Sequence, residues 1–171
     1  ASSIPVANRL PAAFYTGLSM DPAGRLYAVS VRTGTTANSG QIWRETGAGS
    51  GAFATMNAAA LSSPRDVAVD GGGNAYVTVS GSSQVLKING ATGAATVLAG
   101  VSTAPTGLEF FNYDGDFAPA TAARLNLNLS DFNVKPTGTA INVPHTAGIT
   151  LSNSGEIIFT DSKNRRIRRI R

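Results

Sequence analysis

The chain has no cysteine and a single histidine, His145. Without cysteine there is neither a disulfide framework nor a thiolate metal site. One histidine is too few for a histidine-based zinc cluster. Charge is scarce as well: Asp, Glu, Lys and Arg make up 14% of the 171 residues, against roughly 25% in an average domain. No apolar run approaches the ~20 residues that a membrane helix needs. A Walker loop and a Gly-x-Ser-x-Gly elbow are both missing. The Gly-rich stretch Arg32 to Gly40 lacks the lysine of a phosphate-binding loop and reads as a blade loop.

What fills the space is Gly, Ala, Ser and Thr, with 42% hydrophobic residues overall. That hydrophobic share separates the chain from disordered segments. Short β-branched and aromatic runs alternate with Gly-rich turns, which predicts an all-β chain forming one domain over residues 1–171.

A unit recurs three times. An apolar–small–apolar triplet comes first: Leu18-Ser19-Met20, Val67-Ala68-Val69 and Ile149-Thr150-Leu151. A turn follows that closes on Gly24, Gly73 or Gly155. A second apolar run comes next, through Tyr27, Tyr76 and Ile158. A third run holds Ile42, Val85 or Ile167. The second copy continues into a fourth run, Ala94 to Leu98. This grammar predicts blades of four antiparallel strands, in units of about 14–56, 64–100 and 144–171, with an insertion-rich linker over 101–143.

"PRDVAVDGGGNAYVTVSGSSQVLKINGATGAATVLAG" (Pro64 to Gly100) resembles the NHL repeat, and "GITLSNSGEIIFTDSKNRRIRRI" is similar to the same pattern. "DGDFAPATAARLN" (Asp114 to Asn126) is similar to a linker between bacterial NHL blades. Asp66 stands where the family has glycine, and Val79-Ser80 where it has Ala-Asp. The resemblance implies a β-propeller. With about three blades visible, the ring is expected to be incomplete and to be completed by a second copy, by another polypeptide or by sequence beyond this chain. A larger assembly is preferred to a homodimer, because the chain stops inside a blade. The exposed flanks are expected to carry Ile167 and Ile170, and Ile4-Pro5-Val6 is a candidate outer strand beside Ile167.

Six of the fourteen basic residues crowd the last nine positions, from Lys163 to Arg171. The repeat assigns them to a third strand, with the arginines reaching toward the rim. The alternative is a basic arm for nucleic acid. Some animal NHL propellers bind single-stranded RNA, but here the remaining eight basic residues face ten acidic ones and nucleic acid is disfavoured. Peptidyl-hydroxyglycine lyases share the propeller but need several histidines. No cofactor is expected. Asp114 and Asp116 read as a tight turn, with calcium as the alternative. Asp70 and Asp161 read as hairpin and loop residues that cap backbone amides.

The expected function is a non-enzymatic binding or structural module in an extracellular or cell-envelope assembly, with protein or glycan contacts. The start "ASSIPVANRL" suits a mature secreted chain as well as a fragment. Candidate binding loops hold Arg32, Thr35, Asn38, Trp43, Asp131, Phe132 and Lys135. Trp43 has two readings, stacking on a ligand or packing between blades at the position that Leu86 occupies in the second copy. Asn128 opens a glycosylation sequon.

Overall fold

A computed structural model describes residues 10, 13–33, 39–101, 118–127, 133–134, 141–142 and 147–171. Three antiparallel sheets follow one another along the chain. The first holds β1 (Ala13–Met20), β2 (Leu26–Thr33), β3 (Gln41–Glu45) and β4 (Phe53–Thr55), in that spatial order. The second holds β5 (Pro64–Val69), β6 (Ala75–Val79), β7 (Gln84–Ile88) and β8 (Ala95–Ala99). The two-residue strands β9 (Asn133–Val134) and β10 (Ile141–Asn142) pair with each other within the insertion. The third sheet holds β11 (Ile149–Leu151), β12 (Ile157–Asp161) and β13 (Arg166–Ile170).

Each first hairpin turns through a glycine in the left-handed region: Gly24 at φ 84°, Gly73 at 76° and Gly155 at 82°. A side chain holds each turn. Asp21 Oδ1 accepts the Arg25 amide, Asp70 Oδ1 the amides of Gly72 and Asn74, and Ser152 Oγ the Glu156 amide. The hydrogen-bonding side chain and the permissive glycine together make a tight hairpin that a β-branched residue could not close.

The three sheets share one register between their second and third strands. Ala28 faces Trp43, Val77 faces Leu86 and Phe159 faces Arg168. Alternation then gives every sheet a front, toward the preceding sheet, and a back, toward the next. Tyr27, Val29 and Ile42 on the first back pack against Val67, Val77, Leu86 and Ile88 on the second front. Ala68, Val85 and Ala99 on the second back pack against Ile149, Ile157 and Phe159 on the third front. Leu125 and Leu127 close that second core from the linker.

The interval between the second and third copies is long enough to conceal a further blade. The two sheets are nonetheless direct neighbours: Asp66 Oδ2 accepts the Ile149 amide at 3.0 Å, and the Thr78 hydroxyl donates to the Ala147 carbonyl at 2.6 Å. Strand β5 meets both β1 and β11, and the three form the hub. Outer strands β4 and β8 complete the first two sheets. Among the described residues the third sheet has three strands. The architecture is that of a partial β-propeller.

Two sequence expectations need correcting. Ile170 is not a flank residue. It pairs with Ile157, as Ile88 pairs with Ala75, and packs inward on the second core. Asp161 is not a loop residue. It ends β12, is fully buried, and holds the Arg168 Nε at 2.7 Å. Arg168 therefore turns inward instead of reaching for the rim. Ile4-Pro5-Val6 lies outside the described residues.

Candidate binding surfaces

Among the described residues, one front and one back have no neighbouring sheet, although Ala28, Ser30 and Trp43 on that front are buried. On the first front, Leu18 and Met20 are 69% and 61% exposed. The counterparts of Leu18 in the repeat, Val67 and Ile149, are buried against a neighbouring sheet, and those of Met20, Val69 and Leu151, pack on the same cores while partly buried. On the third back, Ile167 is 78% exposed, whereas its counterparts Ile42 and Val85 are fully buried. Apolar side chains thus occupy both open flanks at positions that are core elsewhere in the same chain.

A cleft of about 350 Å³ lies between the second and third sheets. Ala99, Ala123, Leu125 and Phe159 give it small and apolar walls, and Arg166 and Ile170 of β13 line the opposite side. The remaining terminal arginines are partly neutralised. Arg169 and Arg171 approach Glu156 at 3.6 and 3.2 Å.

At the hub, Asp66 bridges the two inner strands of the second and third sheets. Its Oδ1 accepts the Val67 amide and its Oδ2 that of Ile149. Burial pushes this carboxyl above the usual carboxylate range, against the pull of those two amides. The side chain fits because Gly17, its counterpart in the first copy, has no Cβ. A Cβ on Gly17 would meet Asp66 Oδ1 at 2.6 Å. Arg65, next to it, donates from Nε to Ser80 Oγ at 2.9 Å. Burial lowers its pKa. Among the described residues it has no carboxylate partner.

Of the residues singled out in the sequence, Trp43 lies in β3 and not in a loop. It is buried, and its Nε1 donates to Ser30 Oγ at 3.1 Å. It sits on the front of the first sheet, outside the core between the first and second sheets. Little of the ring is left for stacking on a ligand. The backbone of Arg32 falls near the end of β2. Its side chain, and Thr35, Asn38, Asp114, Asp116, Asn128, Asp131, Phe132, Lys135 and His145, lie outside the described residues. The flank pair Leu18 and Met20 was missed, although the alignment of the first triplet with Val67 and Ile149 carried the signal. Among the described residues, no group of three His, Cys, Asp or Glu side chains gathers. No helix among them is long and apolar enough to cross a membrane.

No protein-family profile matches the chain, and no curated protein does. Similarity is found among solved structures. A chain of a nidogen/laminin complex matches 95% of this chain with a TM-score of 0.50 and 15% identity. A streptogramin B lyase structure matches 94% of it with a TM-score of 0.47 and 16% identity. This chain spans 62% of the length of the first and 52% of the second. At such identity the first likeness concerns the fold alone, and it agrees with the sheet order described above: this chain has a β-propeller-like architecture.

Proposed function

We propose that this chain is a non-enzymatic, NHL-type propeller segment that binds protein through its open sheet faces, within an extracellular or cell-envelope assembly. One observation carries the reading: Leu18 and Ile167 are exposed at repeat positions that are buried core wherever a neighbouring sheet is present, and Met20 is exposed beside Leu18. Apolar surface grouped in this way is characteristic of interaction sites. The fold is compatible with such a role, since the similar nidogen/laminin structure is a complex between proteins. The opposing RNA reading is weakened by the terminal arginines themselves. Arg168 is committed to Asp161, and Arg169 and Arg171 lie against Glu156.

The test is a photo-crosslinking residue at position 18 or 167, in cells that make the protein naturally. Exposed Ala59 serves as the control position. Protein adducts are expected at 18 and 167 and not at 59. Their absence at both flank positions would overturn the reading.

A further inference from the structure

We propose that Asn89 is a modification site that the fold holds in check: its side-chain amide is lost only when the turn between β7 and β8 opens, and Asn74 and Arg44 set how often that happens. Asn89-Gly90 is the one Asn-Gly pair of the chain. Glycine leaves the backbone nitrogen after an asparagine unobstructed by a side chain, so ring closure at this pair meets the least hindrance. The packing demands both residues. A Cβ on Gly90 would collide with the Gly73 carbonyl in the neighbouring turn. Asn89 Oδ1 accepts the amides of Ala91 and Thr92, each at 2.9 Å, and so closes its own turn. Asn89 is exposed, so water reaches its carboxamide.

The reaction needs no partner but water. The Gly90 nitrogen attacks Asn89 Cγ, and a bond forms between them. The bond from Cγ to the side-chain nitrogen breaks, and ammonia leaves with the proton that Gly90 gave up. Water then opens the cyclic imide at one or the other of its carbonyls. One product is aspartate. The other is isoaspartate, in which the main chain runs through the side chain and gains a carbon. No electron donor or acceptor takes part.

Ring closure must break bonds on both reacting groups. The Gly90 N–H donates to Asn74 Oδ1 at 3.1 Å, and Asn74 Nδ2 is itself anchored on Asp70 Oδ2 at 2.9 Å. The Gly90 carbonyl accepts Arg44 Nη1 at 2.8 Å, from β3 of the first sheet. Turning Asn89 Cγ onto the Gly90 nitrogen would release the Ala91 and Thr92 amides. The nucleophile is thus held by the β5–β6 turn and by the first sheet, and the electrophile by its own turn. Reaction is confined to the open turn. Isoaspartate cannot restore the closed one. Its added carbon lies between the Asn89 amide and carbonyl, which bond Ala94 and Gly93 in the closed turn. The modification therefore records opening and does not reverse.

The test is incubation of the chain in mildly alkaline buffer, with peptide mass spectrometry reading conversion at residue 89. The folded chain is compared with the same chain in urea, and with Asn74→Ala and Arg44→Met. Circular dichroism checks that the sheets are retained. Conversion in the folded chain should be at least ~10-fold slower than in urea, because only the open fraction reacts. Either variant, with its sheets retained, should convert several-fold faster than the unmodified folded chain. Hydrogen exchange at the Gly90 amide should speed up in parallel. Equal rates for the folded chain and the chain in urea overturn the proposal. So do two folded variants that convert no faster than the unmodified chain. A variant that loses its sheets should convert at the rate seen in urea, and protection that survives there overturns the proposal as well.

Discussion

A carboxylate with no exposure to water is tolerable only when its charge and its lone pairs are satisfied. Asp161 meets that condition through the Asn126 amide on Oδ1 and the Asn164 amide and Arg168 Nε on Oδ2. It ties the linker to the third sheet, and it draws one of the terminal arginines into the interior. Asp161→Ala leaves the Arg168 guanidinium buried without its counter-ion, and should cost about 3–5 kcal/mol in urea unfolding. Adding Arg168→Met should recover most of that loss. Asp66 makes stability depend on pH. Its folded pKa is raised, so the native state holds its proton more tightly than the unfolded chain does. This contribution is present below the unfolded pKa and is lost as pH rises through the folded one. Relative to Asp66→Asn, the unmodified chain should gain stability as pH falls from 7 toward 4. Parallel unfolding curves at each pH would show it, and an unchanging difference would contradict it.

At the scale of the element, the hairpins were the most legible part of the sequence. The triplets, the second runs and the third runs fall in β1, β2 and β3 and their repeats, and the glycines fall in the turns between the first two, because period-two alternation and turn chemistry are local properties. The long-range pairings were not legible. Nothing in the hydrophobic pattern marks Asp161 as the partner of Arg168, or Glu45 as a buried acceptor. The amides of Gly51 and Leu26 hold the Glu45 carboxyl below its ordinary range. The sense of Ile170 was missed for a related reason. Two isoleucines three apart face opposite sides, and only the sheet stacking decides which side is core. Sequence alone could align Gly17, Asp66 and Gly148, but not show that the first glycine makes room for the aspartate. Their environments now separate them. Gly17→Ala places a Cβ 2.6 Å from Asp66 Oδ1 and 2.7 Å from its Cα, whereas a Cβ on Gly148 meets nothing nearer than 3.8 Å. Gly17→Ala should destabilise by about 1–3 kcal/mol through overpacking. Gly148→Ala should change thermal stability little.

At the scale of the molecule, stability follows from stacking. Each sheet of a repeat array owes its stability to its own pairing and to its immediate neighbours. The second sheet is covered on both faces, by the first core in front and the second behind. Among the described residues the first and third sheets have one neighbouring sheet each, and they carry the exposed Leu18 and Ile167 on the other face. Opening should therefore begin at the flanking sheets and reach the middle one last. In native-state hydrogen exchange the amides of Val77, Val85 and Ile88 should be the slowest, and those of β1 and β13 should exchange measurably faster. Equal protection of β1, β13 and the middle sheet would show that opening does not begin at the flanking sheets.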